Sequence, residues 1–230
     1  MIPLRDVNPS STTPFVTRAI IAVNVVVFVQ EILLGPGLKS FMMSWGLVPE
    51  RLTLALHGAH GPGPAAALTL VTSMFIHGGW MHLIGNMWYL WIFGDNVEDR
   101  FGHVGYLLFY LAAGMVAGVV QYATNPASTL PTVGASGAIA GVLGAYAVAY
   151  PTARVVTLVP IFFFIQIMAL PALVVLGLWF VLQLFSGWLS FGMTGGGIAF
   201  WAHVGGFAFG FIVMKLFGGL RPQSRAWVEP

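Results

Sequence analysis

The fold is decided by residues 133–150, which read VGASGAIAGVLGAYAVAY. More than half of these residues are Gly or Ala, and none is charged. A helix needs about 20 apolar residues to cross the hydrocarbon core of a membrane, and small side chains let neighbouring helices approach closely. We therefore predict a short helix here, inside a membrane bundle and largely shielded from lipid.

The composition of the whole chain supports a membrane protein. Of 230 residues, 58% are hydrophobic and only 7% are charged, whereas an ordinary soluble domain has roughly 25% charged residues. This deficit excludes a soluble enzyme. The net charge of +2, without a basic run, argues against nucleic-acid binding. The absence of cysteine excludes disulfides and thiolate nucleophiles.

Six segments are apolar enough for membrane helices, which predicts an all-α bundle with six transmembrane helices. The predicted membrane domain covers residues 17–217, between an N-terminal segment (1–16) and a C-terminal tail (218–230). The loop 35–80 is rich in apolar residues, so we expect short helices at the outer membrane surface. The six segments are 17–34, 81–100, 104–123, 133–150, 167–189 and 198–216.

The basic residues predict the orientation of the bundle. With both termini in the cytoplasm, seven Lys and Arg residues lie on the cytoplasmic side, and only Lys39 and Arg51 lie outside. Cytoplasmic loops of membrane proteins carry such an excess. We expect an integral protein of a bacterial inner membrane, with an organellar membrane as the alternative.

Four polar side chains fall at a similar depth in the outer half of the predicted bundle: His82, Asn86, Ser136 and His203. His82 and Asn86 are four residues apart and share one helix face. Polar groups inside a membrane are costly and often functional. Each also has a structural interpretation, because Ser commonly bonds to its own helix and Asn and His bridge helices.

Two glycine pairs sit beside these residues, Gly137 with Gly141 and Gly206 with Gly210. Such pairs allow two helix backbones to touch, which would bring Ser136 to His203. Packing or dimerisation alone would also explain the glycines. A Ser–His pair supports nucleophilic catalysis, with His as the general base. No acidic residue is placed to orient His203, so we predict a dyad.

His82 and Asn86 are candidate donors to an oxyanion. Zinc binding by His82 and His203 is the rival interpretation, but zinc requires a third protein ligand and none is evident. His77 lies five residues before His82, which on a continuous helix would place the two on different faces. We therefore interpret His77 as structural.

Taken in order, these motifs resemble those of the rhomboid intramembrane serine proteases. The resemblance covers about residues 15–217, and one difference is Ala140, where some members place a Tyr against the His ring. The matching motifs are His82-x-x-x-Asn86, Gly94-x-x-x-Glu98-x-x-x-Gly102, Gly134-Ala135-Ser136-Gly137 and Ala202-His203-Val204-Gly205-Gly206.

The resemblance implies Ser136 as nucleophile, His203 as base, and His82 with Asn86 in the oxyanion hole. It implies a structural role for Glu98 and cleavage of single-pass membrane proteins in the bilayer, with no cofactor or metal. Gly134, Gly137, Gly206 and Gly210 are expected to be structural. A non-catalytic binder or chaperone of membrane proteins is the alternative, and a small-solute transporter is disfavoured because the two halves show no repeat.

Overall fold

The computed structural model describes residues 1–59, 65–161, 164–190 and 198–217. Within these ranges the chain is mostly helical, which confirms the predicted helical membrane bundle. The predicted C-terminal tail, 218–230, and the Gly-Pro stretch at 61–64 lie outside the described residues.

The helices of the described chain are α1 (Phe15–Leu33), α2 (Leu38–Trp45), α3 (Pro49–Leu56), α4 (Thr69–Thr72), α5 (Trp80–Phe101), α6 (His103–Thr124), α7 (Ser136–Ala149), α8 (Ala172–Leu189) and α9 (Phe200–Phe217). The strands are β1 (Ile2–Asp6), β2 (Arg154–Ile161) and β3 (Phe164–Pro171). Short 3₁₀ turns lie at Gly35–Gly37, Ala66–Leu68 and Ser73–Phe75.

Each of the six predicted segments contains a helix, but the helices differ in length. Among the described residues, α1, α6, α8 and α9 are long and apolar enough to cross a membrane. The α5 helix counts as a fifth span when joined to the segment before it, which meets it at a bend of 82°. The α7 helix has only 14 residues. Six complete spans therefore stay a prediction.

The loop after α1 contains the short helices that its apolar residues predicted. It includes α2, α3 and α4, and Pro49 stands in the first turn of α3, where a missing N–H costs nothing. Their position at the membrane surface stays a prediction, since it follows from composition alone.

A small antiparallel sheet, in the order β1-β2-β3, was not predicted from the sequence. The predicted helix over residues 167–189 is wrong at its beginning, because residues up to Pro171 form β3 and pair with β2. Proline disfavours a helical conformation in the residue before it, so α8 begins only at Ala172. The sheet lies at the end of the bundle opposite Ser136, which we call the strand end.

The α7 helix is the centre of the bundle, as predicted. All its residues from Gly137 to Ala147 are buried. Its backbone touches that of α9, because a Cβ atom on Gly206 would overlap the carbonyl oxygen of Gly137 and one on Gly210 would overlap that of Gly141. Glycine is therefore required at both α9 positions by the close approach of the two helices.

Glu98 joins three helices at the strand end. Its buried carboxylate accepts hydrogen bonds from the backbone N–H groups of Val16 (2.9 Å) and Thr17 (2.8 Å), in the first turn of α1. His103 Nδ1, at the beginning of α6, lies 2.6 Å from the same carboxylate. A negative charge at a helix N-terminus satisfies donors that have no partner in the helix.

We predict that Gly206→Val separates α7 from α9 and strongly damages the protein. The branched side chain would fall on the Gly137 carbonyl, and overpacking a tight interface costs about 1–3 kcal/mol. We expect a lower melting temperature in detergent and at least about a hundredfold slower reaction of Ser136 with a fluorophosphonate, because a displacement of about 1 Å costs that much.

The control variant is Gly177→Val on α8, where an added side chain meets open space. It makes the same change in side-chain size without touching the interface. An unchanged melting temperature and reaction rate in Gly206→Val would show that the close approach is not required.

Candidate active site

Ser136 is the first residue of α7 and follows a constrained turn. Gly134 has a backbone φ of +124°, a value that side-chain-bearing residues rarely adopt. The N–H of Gly134 donates a hydrogen bond to the carbonyl oxygen of Ser73 (2.9 Å). This bond and the left-handed turn fix the direction from which the chain enters α7, and with it the position of Ser136.

The structure brings Ser136 and His203 into direct contact. The Ser136 Oγ atom lies 2.8 Å from the His203 Nε2 atom. Serine is short, so this contact requires the backbones of α7 and α9 to be as close as their glycines allow. His203 is 8% exposed and lies on the first turn of α9. The predicted pairing of the two helices is therefore present, while the catalytic roles of the two residues stay a prediction.

Two side chains of α8 also contact the His203 ring, and sequence analysis missed both. The Trp179 ring lies against it, with ring centroids 5.8 Å apart and planes tilted by 36°. The Gln183 Oε1 atom lies 2.8 Å from His203 Nδ1. Position 140 of α7, where some rhomboids place a Tyr against the His ring, holds an Ala in this chain. The aromatic contact to His203 comes instead from Trp179 on α8.

The sequence contains a feature that points to Gln183. It is the only amide side chain in the apolar helix α8, and a polar group inside a membrane calls for a partner. The sequence prediction allowed only acidic residues as partners that orient His203, and a neutral amide falls outside that class.

His82 presents a hydrogen-bond donor beside the turn at Gly134. Its Nδ1 atom accepts a hydrogen bond from the N–H of Gly78 (3.3 Å). A neutral ring that accepts at Nδ1 carries its proton on Nε2. A Cβ atom on Gly134 would lie only 2.6 Å from this Nε2 atom, so glycine leaves room for the His82 ring two residues before Ser136.

Asn86 contributes a second donor, one turn further along α5. Its side chain is 8% exposed, and within the described residues its Nδ2 atom has no hydrogen-bond partner. The same atom lies 3.7 Å from the Cβ position of Gly134. Leaving a buried donor without a partner costs about 1–3 kcal/mol, so such groups call for an explanation. A bound ligand oxygen would satisfy it.

The beginning of α7 adds backbone donors to the same place. The first N–H groups of an α-helix have no partner within the helix, and the helix dipole places partial positive charge there. Ser136 therefore lies next to the His203 imidazole and to backbone N–H groups, and two side-chain donors lie beside Gly134, two residues before it. This set of groups is suited to acyl transfer, in which a nucleophile attacks a carbonyl and negative charge develops on oxygen.

A small cavity opens beside Ser136. Its walls are formed largely by residues with little or no side chain, from α6, α7 and the segment around α9. These residues are Gly114, Ala117, Gly118, Gly137, Ala138 and Ala202. The cavity has a volume of about 30 Å³ and is also lined by Leu47 and Met74, so it admits at most a small side chain.

The position of His77 relative to His82 differs from the prediction. It precedes α5 in a turn, and its ring makes an edge contact with that of His82 at 5.1 Å, so the continuous helix assumed in placing the two on different faces was wrong. In the described part of the chain, no group of three or more His, Asp or Glu residues is arranged to hold a metal ion.

Comparison with known proteins places the chain in a family. The model of the Rhomboid domain matches residues 64–219. Presenilin-associated rhomboid-like protein A, mitochondrial, of Danio rerio is 34% identical over 146 residues, which are 62% of this chain and 36% of that protein. Rhomboid protease GluP of Bacillus subtilis is 42% identical over 76 residues, 33% of this chain and 14% of that protein.

Rhomboid-like protein 11, chloroplastic, of Arabidopsis thaliana is 42% identical over 71 residues, 31% of this chain and 25% of that protein. The match thus covers about a third or less of each of these relatives. The family model, in contrast, spans more than half of this chain and includes Ser136, His203, His82 and Asn86. The chain is a member of the rhomboid family and an integral membrane protein.

Proposed function

We propose that this protein is an intramembrane serine endopeptidase that cleaves single-pass membrane proteins within or next to their transmembrane helix. The observation that carries the proposal is the 2.8 Å contact between Ser136 Oγ and His203 Nε2 inside a membrane bundle. Family membership supports it, since rhomboids are generally intramembrane serine proteases and one relative is named a rhomboid protease.

The proposed reaction has two steps. The Ser136 oxygen attacks the substrate carbonyl while its proton passes to His203 Nε2, and the tetrahedral intermediate collapses as His203 returns that proton to the leaving amine. Water then attacks the acyl-enzyme and gives a proton to His203, which returns it to Ser136 Oγ as the acyl–oxygen bond breaks and the new carboxyl terminus is released. A neutral His203 is required at the start of each step.

The negative charge that develops on the carbonyl oxygen needs donors. In the proposal these are His82 Nε2–H, the Asn86 amide and the backbone N–H groups at the beginning of α7. All are held before the substrate arrives, which is the condition under which such donors stabilise a transition state most effectively. The unpartnered Asn86 Nδ2 atom supports this role.

The proposed substrate must unwind before it is cut. A peptide bond within a helix is shielded, and in lipid its freed polar groups would be costly to leave unpaired. A helix that contains Gly or Pro near the cleavage site unwinds at lower cost. The small volume of the cavity beside Ser136 supports a small residue at the cut, so we expect a substrate with Ala there to be cleaved faster than one with Phe.

We predict that Ser136→Ala and His203→Ala each abolish cleavage of a single-span substrate in liposomes, while the variants stay folded. Each change removes one half of the proton-transfer pair, and residues that act as a unit do not lose activity additively. The double variant should therefore be no worse than either single one.

The control for this assay is His57→Ala, which alters an exposed histidine whose ring bonds the Thr53 carbonyl of helix α3 (2.8 Å) and should leave cleavage unchanged. Substantial turnover by Ser136→Ala would rule out the proposed nucleophile. A wild-type protein that binds the substrate without cutting it would favour the non-catalytic binder instead.

We predict that Asn86→Ala lowers kcat with little change in KM, because an oxyanion donor acts mainly in the transition state. Loss of one such donor typically costs about 2.7–4 kcal/mol. Asn24→Ala is the matched control: Asn24 is equally an amide buried in a helix, but it donates to Ile20 of its own helix α1. A raised KM at unchanged kcat would make Asn86 a substrate-binding residue.

The proposal includes the orientation and location of the protein. Segments 1–16 and 218–230 lie in the cytoplasm of a bacterium, residues 17–217 lie in its inner membrane, and Ser136 faces the outer side; the excess of basic residues supports this.

Cysteine labelling tests this orientation. The chain lacks cysteine, so an introduced cysteine is the only thiol of the protein that can react. A membrane-impermeant maleimide should label Lys39→Cys and leave Arg154→Cys unlabelled in intact cells, and the reverse pattern would invert the orientation.

A further inference from the structure

The second nitrogen of the His203 ring has a defined partner. His203 Nδ1 lies 2.8 Å from Gln183 Oε1, and a carbonyl oxygen only accepts hydrogen bonds. His203 Nδ1 must therefore carry a proton. In a neutral ring Nε2 is then the unprotonated nitrogen, and it accepts a hydrogen bond from the Ser136 hydroxyl, whose Oγ atom lies 2.8 Å away. The hydrogen bond to Gln183 thus selects the tautomer in which His203 can act as a base.

Gln183 is held toward the ring by the packing of α8. Its neighbours Leu182 and Leu184 are exposed on the outside of the bundle at 53% and 37%, whereas Gln183 is half-buried. One turn earlier on the same face, Trp179 lies against the His203 ring. Trp179 therefore limits how far the His203 ring can tilt, and Gln183 limits how far it can rotate. Both side chains come from α8.

Burying the Gln183 amide in an apolar helix destabilises the protein unless a hydrogen bond offsets the loss of hydration. The α8 helix has no charged residue, and desolvating an amide without a hydrogen bond is unfavourable. A leucine at position 183 would suit the helix better. The hydrogen bond to His203 satisfies the carbonyl half of the amide.

We propose that Gln183 is the positioning residue of His203, so that Ser136, His203 and Gln183 form a hydrogen-bonded series with a neutral third member. This inference rests on the proposed function, because it assigns the orientation of the proposed base. Gln183 does not touch the reacting atoms. It acts by keeping the Nδ1–H tautomer and the ring angle that the first proton transfer requires.

The first test is spectroscopic and needs no substrate. In protein labelled with ¹⁵N-histidine, the wild-type His203 should show a protonated Nδ1 and an unprotonated Nε2. Gln183→Leu, which is apolar and of similar size, should lose this signature, while Gln183→Glu should keep it because a carboxylate oxygen also accepts the Nδ1–H. A merely structural role would leave the tautomer unchanged in both folded variants.

The second test is kinetic. Gln183→Leu should lower kcat about tenfold to a hundredfold with KM nearly unchanged, as expected when a group that orients a catalytic side chain is removed. Gln183→Glu should restore a large part of the rate. Gln121→Leu is the matched control: Gln121 Oε1 accepts the backbone N–H of Ala202 (3.2 Å), so its loss should affect stability and leave the His203 tautomer as it is.

The outcomes separate the two proposals. A wild-type protein that neither cleaves nor reacts with a fluorophosphonate would refute the proposed function, whatever the spectra show. An active wild type whose Gln183→Leu variant keeps both kcat and the Nδ1–H tautomer would overturn the role of Gln183. If Gln183→Leu does not fold, Gln183→Glu decides, because a folded Glu variant without the Nδ1–H signature also overturns it.

Discussion

The rest of the structure depends on the contact between the backbones of α7 and α9. Glycine on α9 faces carbonyl oxygens of α7 at two successive turns, at Gly206 and Gly210, with no room for a Cβ atom. Among membrane helices, which gain little from hydrophobic association, such close packing is a main source of attraction. It also sets the separation of the side chains at the end of both helices, which is why a residue as short as Ser136 reaches His203.

Polar side chains are buried at both ends of the bundle. At the strand end, Glu98 accepts hydrogen bonds from α1 and contacts His103, and Tyr146 donates to Asp6 (2.6 Å), so these polar side chains have partners. At the Ser136 end, Asn86 keeps an unpartnered donor. Buried donors without a partner occur near the strand end as well, on Asn8 and Arg100. It is therefore the position of Asn86, beside the turn that leads to Ser136, that makes its open donor a candidate ligand contact.

Most of the helical bundle could be predicted from hydropathy, because a span must be long and apolar wherever it meets lipid. The contact between α7 and α9 could also be predicted, since the spacing of Gly137, Gly141, Gly206 and Gly210 records which faces touch. The sheet could not, because the residues before Pro171 are as apolar as those of a helix and only their pairing with β2 distinguishes them. Gln183 was missed because a neutral amide can orient a histidine as an acid does, and composition does not distinguish an orienting amide from a packing one.

The length of α7 connects the architecture with the proposed chemistry. Fourteen residues make a helix of about 21 Å, whereas the hydrocarbon core is about 30 Å thick. If its other end reaches one surface, the N-terminus of α7 lies below the opposite surface, and the turn at Gly134 must descend into the bundle to meet it. This single feature places Ser136 at depth, directs free backbone N–H groups towards the same point, and requires an opening above it. A longer α7 would carry Ser136 to the membrane surface, away from the His203 ring that α8 and α9 hold below it.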